Sequence, residues 1–174
     1  MIGDVSNIKG CLVTASSPII LLAEDLEDDV IIVRKALVQA FVDNPLRVVR
    51  DGEEAISYLG GVGKFGDRSE FPLPGLLLLD IKMPRVDGFE VLQWVRSQPQ
   101  FRKLPVIILT SSEELHDMKR AYQLGANSFL LKPLNFKDAR QIGHFLPSPS
   151  PITDCLPGQI PTLNPQQNSP PNLT

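Results

Sequence analysis

Residues 74–88 have the sequence PGLLLLDIKMPRVDG, in which four consecutive leucines lead directly to Asp80. A continuous apolar run, bounded by a proline–glycine pair and then by a segment rich in proline and glycine, indicates a strand buried on both faces. Asp80 stands at the end of that strand. Ligands bind at the carboxyl ends of the strands in open α/β sheets, so this position favours a chemical role for the carboxylate.

Short apolar runs and amphipathic segments alternate on both sides of this strand. The predicted strands are 19–23, 46–50, 76–80, 106–110 and 128–131, and the predicted helices are 27–41, 53–59, 88–97, 113–124 and 135–145. Apolar strands that alternate with helices indicate a parallel sheet with helices on both faces. The sequence therefore predicts an α/β, doubly wound fold, because a closed eight-stranded barrel needs more residues.

The connections between these segments carry turn signals. Residues 60–75 contain five glycines and two prolines and are predicted to form an extended loop. Ser112 can cap the fourth helix, and Gly125 can end it. Gly143 weakens the fifth helix and Pro147 stops it, so we expect a short helix that leaves one face of the sheet thinly covered.

All periodic segments lie within residues 18–146, which we interpret as one domain. Residues 1–17 are expected to be a flexible leader. Residues 147–174 hold eight prolines and a single charge, which favours a disordered tail over the alternative of a ligand for SH3-type domains. Cys11 and Cys155 lie in these flanking segments; unpaired thiols fit a reducing cytoplasm, and a disulfide between them stays open.

The composition is that of an ordinary globular protein. Of the 174 residues, 43% are hydrophobic and 21% are charged, and the net charge of −3 gives no general attraction to nucleic acid or to an anionic membrane. No apolar run approaches the length of a membrane helix, and the N-terminus lacks the pattern of a secretory signal. We therefore expect a cytoplasmic protein whose partners include neither nucleic acid nor a membrane.

Polar side chains gather where the predicted strands end. Glu24 and Asp25 follow the first strand, Asp80 ends the third, Thr110 ends the fourth and Lys132 follows the fifth. Carboxylates a few ångströms apart raise one another's pKa values, and a divalent cation relieves this repulsion. An all-oxygen site with few protein ligands suits Mg²⁺.

This set of residues fits phosphoryl transfer. A metal ion and the Lys132 ammonium would neutralise the phosphoryl oxygens, Thr110 would donate a hydrogen bond, and Asp80 would be the nucleophile that forms an acyl phosphate. Each residue taken alone is more often structural, an aspartate as a helix cap or a lysine as a solvated group. Five of them at four strand ends favour a site.

Across residues 18–146 the sequence resembles the receiver domain of two-component response regulators. The residues that carry the resemblance are Glu24-Asp25, the segment from Asp80 through Met83-Pro84 to Asp87-Gly88, Thr110 and Lys132-Pro133. The resemblance implies a five-stranded sheet in the order 2-1-3-4-5. It also implies a phosphorelay function, in which Asp80 accepts a phosphoryl group from a histidine kinase or a phosphotransfer protein and becomes 4-aspartylphosphate.

The resemblance implies a set of metal ligands as well. Asp25 and Asp80 would bind Mg²⁺ together with the main-chain carbonyl of Lys82. Glu24 would act through a water molecule bound to the metal.

Further roles implied by the resemblance concern the phosphoryl group and the switch. Thr110 and Lys132 would bind phosphoryl oxygens, and the Lys132–Pro133 peptide bond would be cis. Phe129 would be the switch aromatic, turning inward as Thr110 moves toward the phosphoryl group. A plain core aromatic is an equally good interpretation of Phe129.

Residues 60–75 and 122–127 are similar to those of small regulators partnered with bacterial phytochromes, so a phytochrome-type sensor kinase is a candidate partner. We expect no output domain in the leader or the tail. Signalling should then pass through a changed surface formed by the fourth and fifth helices and the fifth strand, with no enzymatic activity beyond the domain's own phosphorylation and dephosphorylation. The resemblance also suggests a homodimer through the region of the fifth helix, although the short helix argues against it.

Three other functions share parts of this pattern. A haloacid dehalogenase-type hydrolase also uses a strand-end aspartate but needs a second one two residues later, where this chain has Lys82. A flavodoxin-like FMN carrier needs a phosphate-binding loop after the first strand, where the acidic residues 24–29 would repel phosphate. A receiver-like domain that is never phosphorylated is disfavoured because all five site residues are present.

Overall fold

The computed structural model describes residues 17–111 and 115–146. Within these residues, five parallel strands form one sheet in the order β2-β1-β3-β4-β5, which confirms the predicted doubly wound fold and its strand order. The strands are β1 (Ile20–Ala23), β2 (Leu46–Val49), β3 (Leu76–Asp80), β4 (Val106–Thr110) and β5 (Ser128–Leu131). The helices are α1 (Glu27–Gln39), α2 (Gly52–Gly60), α3 (Gly88–Ser97), α4 (Leu115–Gln123) and α5 (Phe136–Phe145), and two short 3₁₀ helices cover Gly63–Phe65 and Pro99–Phe101.

Alternation along the strands divides the apolar side chains between two cores, one on each face of the sheet. Leu77 and Leu79 face the core that α2, α3 and α4 cover, whereas Leu76 and Leu78 face the core that α1 and α5 cover. All five residues of β3 are buried. A central strand covered on both faces has no polar side to present, which is the physical reason for its run of leucines.

The register of the strands brings their carboxyl ends to one edge. Ala23 pairs with Leu79, and Asp80 pairs with Leu109 one residue before Thr110. Because all strands are parallel, the residues that follow them emerge at the same edge of the sheet.

Observed boundaries differ from the predicted ones by at most two residues wherever both ends are described. The clearest difference is at the end of the first helix, whose predicted range of 27–41 reaches Phe41. α1 ends at Gln39, and Phe41 takes a φ of 57° with 86% of its surface exposed. A left-handed residue ends an α-helix, so the periodic pattern extended past the true terminus.

The predicted loop over residues 60–75 contains more structure than expected. Tyr58, at the end of α2, packs against Phe65 and Phe71, with ring centroids 5.1 and 6.0 Å away. Arg68 donates to the main-chain carbonyls of Tyr58 and Leu59. The glycines and prolines that predict a loop carry no signal for this aromatic cluster.

The last helix covers its face of the sheet better than its length suggests. Asn135 and Asp138 form a capping box at its start, and Ala139 and Ile142 are fully buried in the core shared with α1. The expectation of a thinly covered face is therefore wrong.

Several expectations lie outside the described residues. These are the leader apart from residue 17, the tail, both cysteines and the cap at Ser112. Among the helices of the described part of the chain, none is long and apolar enough to cross a membrane.

Candidate functional site

Asp80 ends β3 as a buried carboxylate with 4% of its surface exposed. Burial raises the pKa of this carboxyl group, and the backbone N–H groups of Ile81 and Lys82 act in the opposite direction. The chain then folds back tightly, with the Gly88 N–H donating to the Ile81 carbonyl at 2.9 Å. A Cβ on Gly88 would lie 2.2 Å from the Asp80 carbonyl oxygen, so only glycine fits where α3 begins.

Three carboxylates meet at this edge of the sheet. Glu24, Asp25 and Asp80 each offer an oxygen, and these oxygens lie within 4.8 Å of one another. Glu24 is fully buried, and its Oε1 accepts a hydrogen bond from the Leu26 N–H at 3.3 Å. Asp25 Oδ1 is buried and has no hydrogen-bond partner among the described residues.

Lys132 places its ammonium among these acids. Its Nζ lies 2.5 Å from Glu24 Oε2, 2.9 Å from Asp29 Oδ2 and 3.3 Å from Asp80 Oδ2, and only 7% of the side chain is exposed. The Lys132–Pro133 peptide bond is cis, as predicted. The lysine thus contacts the acids of β1, α1 and β3 from the end of β5.

The electrostatics of the site follow from this burial. Burial raises the pKa of Asp80 and of Glu24 above their usual values, and the Lys132 ammonium offsets only part of that effect. Burial opposes the charged form of Lys132, yet its hydrogen bonds to Glu24 and Asp29 and the charge of Asp80 raise its pKa. The lysine is therefore charged at neutral pH, and the carboxylates outnumber it.

The donor set fits a small divalent cation. Carboxylate oxygens are the ligands that Mg²⁺ prefers, and an unpartnered buried oxygen such as Asp25 Oδ1 is costly unless a cation or water satisfies it. Lys82 follows in the same loop with an exposed side chain. A lysine ammonium does not ligate cations, so its main-chain carbonyl is the group that Lys82 could offer.

Thr110 and Phe129 lie on the face of the sheet that α2, α3 and α4 cover. Thr110 is fully buried at the end of β4, and its carbonyl accepts a hydrogen bond from the Lys132 N–H at 2.8 Å. Phe129, in β5, pairs with Ile108 of β4. Its side chain is partly buried and packs against the core under α2, α3 and α4. Alternation along β4 places Thr110 on the same face as Ile108 and therefore as Phe129.

Asp29 is the site residue that the sequence interpretation missed. It lies in the first turn of α1 and contacts Lys132, 103 positions further along the chain. The run of acids after Asp25 is the only signal in the sequence, and that run is equally typical of a helix N-terminus, where negative charge is favourable. Only the fold shows which of these acids faces the lysine.

Comparisons with known proteins agree with this architecture. A model of the response regulator receiver domain matches residues 20–142. The chain is 37% identical over 134 residues to the probable methanogenesis regulatory protein FilR2 of Methanothrix harundinacea, covering 76% of this chain and 84% of that protein. It is 36% identical over 120 residues to the response regulator Rcp1 of Synechocystis sp., covering 69% of this chain and 80% of Rcp1.

Solved structures give the same result. The crystal structure of Mn²⁺-bound Rcp1 is 33% identical, with a TM-score of 0.65, and the match covers 75% of this chain and 99% of that one. The phosphorylated cyanobacterial phytochrome response regulator RcpA is 32% identical, with a TM-score of 0.67, and the match covers 76% and 99%. The match to the receiver-domain model, over residues 20–142, contains the sheet and every residue of the acidic site.

Proposed function

The chain belongs to the response regulator receiver family, and on this basis we propose that Asp80 accepts a phosphoryl group from a sensor histidine kinase. The observation that carries the proposal is a buried strand-end carboxylate within 3.3 Å of a buried lysine and beside two further acids. Receiver domains bind divalent metal, and the Mn²⁺-bound form of Rcp1 supports metal binding by this chain as well.

In the proposed reaction, an oxygen of the Asp80 carboxylate attacks the phosphorus of a phosphohistidine. The new P–O bond forms as the P–N bond breaks, and the imidazole nitrogen leaves with the electron pair of that bond and takes up a proton. The product is an acyl phosphate on Asp80. Hydrolysis later returns the carboxylate, so the domain catalyses only its own phosphorylation and dephosphorylation.

The other site residues stabilise the charge of the transferred group. Lys132 and Thr110 bind phosphoryl oxygens, and Lys132 is already held at the site by its acidic neighbours. Asp25, Asp80 and the carbonyl of Lys82 would hold Mg²⁺, and Glu24 would act through a water molecule bound to the ion. When bound, the ion supplies the positive charge that the phosphoryl oxygens need in the transition state.

We infer that the phosphoryl donor is a bacterial phytochrome, or a phosphotransfer protein that receives its phosphoryl group from such a kinase. RcpA, which shares the fold over 99% of its length, is itself a phytochrome response regulator. Phosphorylation would act on Thr110 and Phe129 and so change the surface of α4, β5 and α5. Assembly into a homodimer stays a prediction.

Incubation with acetyl phosphate and Mg²⁺ tests the phosphoacceptor directly. We expect the intact mass of the wild type to rise by one phosphoryl group, and Asp80→Asn to show no such product, because an amide is not a nucleophile of this kind. Asp28→Asn is the matched control, since Asp28 is exposed and lies outside the acidic cluster. Equal modification of the wild type and Asp80→Asn would contradict the assignment.

The partner is tested by phosphotransfer profiling. Purified histidine kinases, with a phytochrome kinase among them, are phosphorylated and mixed briefly with the protein. We expect transfer from the phytochrome kinase to be at least about tenfold faster than from unrelated kinases, a preference worth only about 1.4 kcal/mol. Equal rates from all donors would remove the phytochrome as the specific partner and leave the phosphoacceptor assignment intact.

A further inference from the structure

Asp29 binds the site lysine without belonging to the group of acids that could hold a metal. Its Oδ2 lies 2.9 Å from Lys132 Nζ, within hydrogen-bond distance. The oxygens that converge for a cation come from Glu24, Asp25 and Asp80. Of the three carboxylates on Lys132, Asp29 is therefore the one with no part in that cluster.

We propose that Asp29 is a positioning residue that competes with the phosphoryl group for Lys132 and so limits the affinity of the site for phosphoryl. This inference rests on the proposed function of Asp80 and Lys132. It concerns a contact between α1 and the residue after β5, which the sequence separates widely.

The competition follows from the number of donors on the lysine. An ammonium has three N–H donors, and the three carboxylates Glu24, Asp29 and Asp80 surround it in this structure. The ammonium lies closer to Glu24 and Asp29 than to Asp80, so it is drawn toward the α1 side. To bind a phosphoryl group on Asp80, the Lys132 ammonium must move back toward Asp80.

Metal binding would leave Asp29 as the main competitor. Glu24 and Asp80 share their negative charge with a cation held by the acidic cluster, whereas Lys132 is the only cation that Asp29 contacts among the described residues. Asp29 is also the most exposed of the three, at 23% of its side chain against 0% for Glu24 and 6% for Asp80. Water can solvate it when the lysine turns away, which makes this contact the easiest to exchange.

Beryllofluoride, a mimic of the phosphoryl group, tests the proposal in the presence of Mg²⁺. We expect Asp29→Asn to bind it about three- to tenfold more tightly than the wild type, as measured by ¹⁹F NMR titration. Asp28→Asn is the matched control, because it removes the same charge from the same turn of α1 at a residue that contacts no cation among the described residues. Its affinity should stay within about twofold of the wild type.

Two further measurements separate a positioning role from a general one. In the metal-free protein, the ¹⁵N resonance of the Lys132 ammonium should shift in Asp29→Asn and stay in place in Asp28→Asn. Asp29→Glu, which keeps the charge, should restore an affinity close to that of the wild type. Thermal unfolding of each variant shows that it is folded.

The outcomes distinguish this inference from the function on which it rests. Normal wild-type binding with equal affinities of Asp29→Asn and Asp28→Asn would contradict the inference alone, because long-range charge would then explain the effect. Weaker binding by Asp29→Asn would reverse it and make Asp29 a support for the phosphoryl-binding lysine. Failure of the wild type to bind beryllofluoride would contradict both.

Discussion

Asp80 and Glu24 are buried carboxylates at the carboxyl edge of the sheet. Burial raises the pKa of both, and the pKa of a carboxyl group that is higher in the folded state than in the unfolded state has a definite consequence. Its contribution to stability is fully present below the unfolded pKa and is lost as the pH rises through the folded pKa. At neutral pH the metal-free protein is thus less stable than its packing alone would make it, which favours cation binding.

Replacement of Asp80 should reveal this cost. We expect metal-free Asp80→Asn to be more stable than the wild type near pH 7, by about 1 kcal/mol, because it removes one buried charge. The gain should shrink as the pH falls toward the ordinary carboxyl value of 3.8, where the wild-type group is also neutral. Urea unfolding in EDTA, between about pH 4 and about pH 8, measures the difference.

Two controls accompany that measurement. Asp28→Asn, at an exposed position, should change stability by less than about 0.5 kcal/mol at every pH. Mg²⁺ should stabilise the wild type more than Asp80→Asn, since binding to the folded state alone raises stability. A gain that stays constant across the pH range would show that its cause is packing and not the charge of Asp80.

Among the elements, the loop after β3 is held against the start of α2 by two contacts. Arg85 adopts a φ of 67°, unusual for a residue with a side chain, and forms an ion pair with the buried carboxylate of Asp51. The other oxygen of Asp51 caps α2 by accepting from the Glu54 N–H at 2.8 Å. A Cβ on Gly52 would lie 2.3 Å from the Val86 carbonyl oxygen, so the start of α2 and this loop pack without space between them.

This double use of Asp51 predicts a graded response. Asp51→Ala removes both the cap and the partner of Arg85 and should destabilise the protein by about 1–2 kcal/mol. Asp51→Asn keeps an oxygen for the cap and loses only the charge, and it should cost less than about 1 kcal/mol because the Arg85 side chain is 58% exposed. Urea unfolding midpoints should fall in the order wild type, Asp51→Asn, Asp51→Ala; equal losses would assign the effect to the ion pair alone.

The same elements show what a sequence can and cannot predict. The strands are predicted closely because an apolar run such as 76–80 is a local pattern that a fully buried strand requires. The left-handed Arg85 forms an ion pair with Asp51, far from it in the sequence, and no local pattern encodes that contact. The end of α1 is closed locally, with the Val42 N–H donating to the Leu37 carbonyl, but the exposed Phe41 continues the apolar spacing past it. Periodicity continues to indicate a helix after the backbone has already left it.

For the molecule as a whole, topology determines how much of the site was predictable. Parallel strands deliver their ends to one edge, so Glu24, Asp25, Asp80, Thr110 and Lys132 could be grouped from strand positions alone. Asp29 could not, because it lies within a helix and its contact depends on the packing of α1 beside the residue after β5. A residue that reaches a site from a helix is visible only once the fold is known.

The two faces of the sheet meet at this site, and Thr110 connects them. Its carbonyl holds the main chain of Lys132, while its side chain lies on the face of Phe129. Phosphoryl binding on one face should therefore alter exchange of backbone amides on the other, within residues 115–131. Coupling between the phosphoryl-binding site and residues 115–131 needs an element that contacts both, and the end of β4 lies between them.

Hydrogen exchange with and without beryllofluoride tests this coupling. In the wild type, we expect saturating beryllofluoride and Mg²⁺ to change the exchange of residues 115–131. In Thr110→Ala, binding should weaken by about tenfold through loss of one hydrogen bond to a charged group, and the change at saturation should largely disappear. Thr110→Ser keeps the hydroxyl and should behave like the wild type. An undiminished change in saturated Thr110→Ala would mean that the signal crosses the sheet without this hydroxyl, through Lys132 and the main chain of β5 alone.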